Sequence, residues 1–385
     1  MKKLTRKEKI ARQLQEPSGK ISAKKVKELS SDRNSVKRIL MLCIAAFAFL
    51  VYSNTLDHKY VLDDFGIIPE NLITKKGVSA IPEIFSSTYR AGTNLVDNTL
   101  YRPLSKAMFA IEWQLAPNKP SLSHWINVIF FSLTCVVLFW LLLLCFNGNF
   151  LVPFLAAMLF AAHPIHTEVV ANIKSRDEIM CLLFCLLAAG SALLYAQQGK
   201  SKYLLISGLS LFLAFLSKES AITWLAVIPL MLYFFTSSKG AQIARSSVPL
   251  IIAALVFLLI RSKIVSAGSG VVLVEDNYLV GVKELLTREA NAIFLLGVYL
   301  KQLLFPLTLI SDGSFNHFKE IKLSDFTFLL SLISYLGMAI YAGVRFKKKD
   351  IFSFSILYYL VTLSLVSNVF FLIGTNYGER LLYMP

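Results

Sequence analysis

Runs of roughly 14–23 mostly apolar residues recur along the chain with short polar stretches between them, the pattern of helices that cross a membrane. Ten such runs can be drawn, at 39–56, 125–146, 150–162, 178–196, 203–217, 221–235, 248–260, 291–310, 326–344 and 351–373. Several fall short of the ~20 residues that a straight crossing needs, so tilted or partial crossings are expected. Gln302 and Pro306 mark 291–310 as a broken or partial one. A membrane β-barrel would alternate apolar and polar positions instead of running continuously. The expected fold is therefore an all-α polytopic membrane protein. The polar stretch at 57–123 is by far the longest and is rich in large apolar residues, among them Phe65, Ile84, Tyr89, Tyr101, Phe109 and Trp113. A loop of that composition folds over a site. Short helices lying along the membrane surface are expected at 81–85 and 105–115.

Composition agrees. Hydrophobic residues make up 56% of 385 positions and charged residues 16%, against about 45–50% and about 25% in soluble domains. The net charge of +15 is concentrated: residues 1–38 hold thirteen Lys or Arg and four acids, a surplus of 13 − 4 = +9. A basic stretch directly before the first apolar run is a cytoplasmic, lipid-touching tail rather than a nucleic-acid surface. It is expected to be disordered or transiently helical. No cleavable leader is recognised, so 39–56 reads as an uncleaved anchor. All five cysteines lie in apolar runs, which implies neither a disulfide framework nor a zinc site. No internal repeat is visible.

Placing the basic loops inside (Lys200 and Lys202, Lys239 and Arg245, and Arg345 with Lys347, Lys348 and Lys349) fixes the orientation. Strict alternation of ten crossings would put the last of these outside, and a partial crossing at 291–310 removes the conflict. The opposite, extracytoplasmic face then collects Asp63, Asp64, Arg90, Arg102, the cluster from His163 to Glu178, Lys218, Glu219, Asp312, Glu379 and Arg380. Charges from separate loops converging on one face are the makings of a polar active site.

Each motif has two readings at this point. Asp63–Asp64 is either a general base with an orienting neighbour or a helix cap, with nothing in the spacing to choose. His163 and His166, with Glu168, lack a further well-spaced ligand for a metal, so a pair that positions an anionic substrate is preferred. Asp177 and Glu178 suit a helix N-terminus. Arg176, Arg102 and Arg380 offer forks that match phosphate oxygens. Lys218–Glu219 reads as a neutralising pair or as a phosphate-binding lysine.

Read together and in order, the Asp63–Asp64 pair, YRPL at 101–104, HPIHTE at 163–168, the SRDE turn at 175–178, KES at 218–220, LLFPLTLISD ending at Asp312 and ERLLYMP at 379–385 resemble the membrane domain of the transmembrane and tetratricopeptide-repeat-containing O-mannosyltransferases and their bacterial relatives. The likeness covers roughly 39–385, leaving 1–38 as the tail. It implies a GT-C-like glycosyltransferase fold with 57–123 as first external loop. It also implies an inverting transfer of a mannose-like sugar from a polyprenyl- or dolichyl-phosphate carrier to Ser or Thr of a protein acceptor. The reaction would take place on the periplasmic or lumenal face. In that family an Asp of the first external loop is the base, which points to Asp63. Arg102, His163, His166, Glu168, Arg176, Asp177, Glu178, Lys218, Glu219, Asp312, Glu379 and Arg380 are then expected to bind substrate. No metal site and no cofactor beyond the lipid-linked donor are implied. In the family, ERLLYMP is followed by further helices and tandem repeats, so the chain is expected to be truncated before them. The alternatives are a lipid or glycan acceptor, or a carrier of polyprenyl-linked substrates.

Overall fold

A computed structural model describes residues 23–93, 99–146, 148–265, 272–313 and 317–385, with side chains from Asn34 onward. Residues 1–22 of the expected basic tail lie outside the described residues. The chain divides into two units after Cys43. The first is helical from Ala23, where the tail was expected to be disordered or only transiently helical. Among the described residues the second unit is all-helical, with no strand.

Every predicted run is occupied by a helix. These are α1 (Ala23–Tyr52), α5 (Pro120–Cys145), α6 (Leu151–Ala162), α8 (Arg176–Gln198), α9 (Lys202–Ser217), α10 (Trp224–Phe235), α11 (Gly240–Ile264), α12 (Leu285–Leu304), α13 (Phe326–Arg345) and α14 (Ile351–Ser364). Among the described residues five helices are long and apolar enough to cross a membrane alone. A sixth crossing is added if α6 and the segment Pro164–Ala171, bent from it by 53° and ending in the short helix α7 (Thr167–Ala171), count as one span. The protein is a multi-pass membrane protein. In the first loop α3 (Ile81–Phe85) and α4 (Pro103–Leu115) stand at the two expected places, and a further short helix, α2 (Asp63–Ile67), precedes them. Proline stands in the first turn of α4 and α5, where its missing N–H costs nothing.

Helix α8 is the centre of the packing. Ala188, Ala189, Ser191 and Ala192 are buried on it, and small residues let neighbouring backbones approach. A Cβ at Gly190 would sit 2.2 Å from the Trp140 ring of α5. On α9, Ser207 Oγ donates to the Ala188 carbonyl at 2.8 Å. The helix stops where Gly199 turns left-handed, at φ +68°. By contrast α13 leaves Ile333, Leu336, Ile340 and Val344 exposed, a lipid-facing stripe.

Several predicted ends move. Helix α12 starts earlier than 291 and stops at Leu304, before Pro306, which leaves 305–313 non-helical. The run 351–373 is helical only to Ser364. Beyond it the backbone is held by buried amides: Asn277 Nδ2 donates to Asn368 Oδ1 and to the Ile373 carbonyl, both at 2.9 Å, and Asn368 Nδ2 donates to the Thr375 carbonyl at 3.1 Å. Non-helical backbone at membrane depth survives when protein groups satisfy it. Tyr299 then stacks on Tyr377 with centroids 4.7 Å apart, and its hydroxyl accepts from the Gly378 N–H at 3.2 Å. Those contacts fix the stretch that carries Glu379 and Arg380.

Candidate active site

The adjacent carboxylates Asp63 and Asp64 diverge. Asp64 is fully buried: Oδ2 accepts from the Val61 N–H at 3.0 Å and Oδ1 from the Lys174 N–H at 2.7 Å. Burial raises its carboxyl to about 6, against those two bonds, and the Asp63 charge adds to the rise. Asp63 instead leaves its side chain 48% exposed, with Oδ2 3.7 Å from Lys174 Nζ. Leu62, just before the pair, has φ +45°, the left-handed region that a leucine enters only at a cost.

Lys174 leads into a charged cluster. Its ammonium is 3.9 Å from Asp177 Oδ2. Arg102 donates to the same oxygen at 2.7 Å and, through Nε, to Glu219 at 2.9 Å. The Tyr101 N–H also reaches Glu219, at 3.3 Å. Lys218 pairs with Glu178. Burial works against the Arg102 charge, but Glu219 and Asp177 hold its pKa above the usual value. Burial drives Lys218 well below its usual range, with Asp177 pulling the other way.

Arg380 approaches from the C-terminal stretch. It grips Glu168 twice, at 2.8 Å from its guanidinium and 2.8 Å from its backbone N–H, and lies 3.9 Å from Asp312. Its charge is felt by Lys174 and Lys218, and it feels Asp63. A cleft of about 560 Å³ opens beside the pair, lined in part by His58, Lys59, Leu62, Glu168 and Asn172.

Residues 103–265 match the family described as dolichyl-phosphate-mannose-protein mannosyltransferase. A protein O-mannosyl-transferase of Caenorhabditis elegans is 26% identical over 354 residues, 90% of this chain and 49% of that protein. The protein O-mannosyl-transferase TMTC1 of Mus musculus is 32% identical over 220 residues, 53% of this chain and 23% of that protein. TMTC3 of Homo sapiens is 27% identical over 373 residues, 87% and 40% respectively. Over these residues the chain is similar to the O-mannosyltransferases. It spans about half, or less, of the length of these relatives. No solved structure matches it.

Apart from Asp64, the predicted residues fall into three groups. Asp63, Arg102, Asp177, Glu178, Lys218, Glu219, Glu168, Asp312 and Arg380 belong to the charged cluster just described. Arg176 stands apart, fully buried. It pairs with Glu112, donates to Asn127 Oδ1 at 2.7 Å and to the Ser123 carbonyl at 2.9 Å, and lies over the Phe109 ring at 4.6 Å. The third group joins elements. His163 Nε2 lies 3.0 Å from the Leu303 carbonyl, and His166 sits among the Phe131, Phe160 and Tyr383 rings. Glu379 accepts from Gln302 at 3.2 Å and from the Ile310 N–H. No group of three or more His, Cys, Asp or Glu placed to hold a metal occurs among the described residues.

Sequence reasoning passed over Lys174, although it stands in the IKSRDE stretch two residues before Arg176. It also missed Glu112, Ser123 and Asn127, which carry no motif signal because they lie 49–64 positions from Arg176.

Proposed function

We propose that the protein transfers a mannose-type sugar from a polyprenyl- or dolichyl-phosphate carrier to a Ser or Thr hydroxyl of a protein, on the extracytoplasmic face. One observation carries this reading: of two adjacent carboxylates, one is buried in backbone hydrogen bonds while the other faces outward beside a cluster of cations. Asp63 takes the proton of the acceptor hydroxyl as its oxygen attacks the anomeric carbon. The bond from that carbon to the phosphate oxygen breaks, and its electron pair leaves with the lipid phosphate. Attack opposite the leaving group inverts the centre. The phosphate departs as a stable anion, so no proton donor is needed, only cationic surroundings that stabilise it. Lys218 and Arg380 face the site, whereas the buried guanidinium of Arg176 holds the first loop to α5 and α8. The family of the relatives supports the sugar and the acceptor class, and the basic loops support the orientation.

The test is transfer of mannose from polyprenyl-phosphate mannose to a Ser/Thr peptide by the protein in nanodiscs. Asp63→Asn should lose roughly 10²–10⁴-fold in rate, the worth of a positioned base, with its melting temperature unchanged. Wild-type rates in that variant would remove Asp63 as base.

A further inference from the structure

The cations of the cluster differ in how fully carboxylates occupy them. Arg102 has contacts at 2.7 and 2.9 Å, Arg380 one at 2.8 Å, and Lys218 a tight pair with Glu178. Lys174 is the exception among the described residues of this cluster. Its carboxylate neighbours stand at 3.7 and 3.9 Å, inside ion-pair range but outside hydrogen-bond length. An ammonium carries three N–H donors, and none of them closes a hydrogen bond to a described residue. The side chain is only 12% exposed, so water is a poor substitute. Burial lowers its pKa, Arg102 and Arg380 repel it, and Asp177 and Asp63 pull the other way. A cation under that repulsion gains from an added anion more than a saturated one does.

We propose that Lys174 is the cluster's anion-binding residue, its ammonium taking an oxygen of the carrier phosphate beside Asp63 while its backbone N–H pins the loop that presents Asp63. The assignment rests on the sugar-transfer reading above and names the residue that receives the leaving group. As the carbon–oxygen bond breaks, charge collects on the phosphate oxygen, and the Lys174 N–H groups donate to it. The proton lost by the acceptor stays on Asp63.

The two jobs of Lys174 are separable, because the loop is held by the main chain and survives any side-chain change. The test uses the full chain in nanodiscs, as wild type, Lys174→Met and Lys174→Arg, with three probes: a polyprenyl monophosphate, the matching uncharged polyprenol, and inorganic phosphate. Wild type should bind the monophosphate at least about tenfold tighter than the alcohol. Lys174→Met should lose about tenfold or more of that preference, with polyprenol affinity and melting temperature unchanged, and Lys174→Arg should recover part of it. A full preference retained by Lys174→Met overturns the assignment and leaves the function standing. A wild type that neither distinguishes monophosphate from alcohol nor is protected by inorganic phosphate overturns the lipid-phosphate donor and this proposal with it. Protection by inorganic phosphate in wild type but not in Lys174→Met, without a lipid preference, keeps Lys174 as an anion site and removes the lipid carrier.

Discussion

Asp64 and Arg176 show what the site demands of single residues. Asp64 has a folded pKa raised from 3.8 to about 6. Its contribution to stability is therefore fully present below about pH 4 and is lost as pH rises through about 6. Thermal unfolding from pH 4 to 7 should show that decline in wild type and lose it in Asp64→Asn. Arg176 is the opposite case, a buried charge with every side engaged. Arg176→Met strands Glu112 in the interior and should cost about 3–5 kcal/mol. Arg176→Met combined with Glu112→Leu should recover much of that loss, because apolar packing replaces a desolvated pair. Urea unfolding of the three proteins measures both effects. A stable Arg176→Met with impaired binding of lipid monophosphate would return Arg176 to the donor site. Sequence could name both residues but not divide their work. Arg176 and Asp177 are neighbours in a charged motif, and only the fold turns one toward Glu112 and the other toward Arg102.

At the scale of elements, apolar run length located the helices well, because burial and membrane depth both select long apolar stretches. Helices α3 and α4 of the first loop were legible for the same reason. What stayed hidden were the ends set by buried polar side chains, such as the halt of α14 at Ser364, since the Asn277 and Asn368 partners are 91 residues apart. Close helix approach was equally invisible: nothing in the apolar run 178–196 announces that Gly190 receives Trp140. Gly190→Ala should destabilise the protein by about 1–3 kcal/mol through overpacking. Trp140→Leu in the same chain should relieve it, and an unchanged melting temperature in Gly190→Ala would show that α5 and α8 are not held at that contact.

For the whole molecule, the prediction that reaches furthest concerns sidedness. If the charged cluster faces outward, single cysteines at Lys59 and Glu320, in a chain without its native cysteines, should react with an impermeant thiol reagent from outside, and those at Ser201 and Lys348 should not. All four positions are exposed, so protection reports sidedness rather than burial. Labelling of Lys348 with protection of Glu320 would restore strict alternation of the crossings.

The stretch from Leu365 to Gly378 has no helical ladder of its own, and the carboxamides of Asn277 and Asn368 tie it together. Its opening should therefore be cooperative and cheap compared with that of the flanking helices. Deuterium uptake at the amides of 368–378 should outpace that of α8, and Asn277→Ala should speed it further. Arg380 rides on that stretch, so the same substitution should slow turnover while Asp63 and Lys174 stay where they are. A residue with no charge and no motif would then act as the latch on the catalytic face.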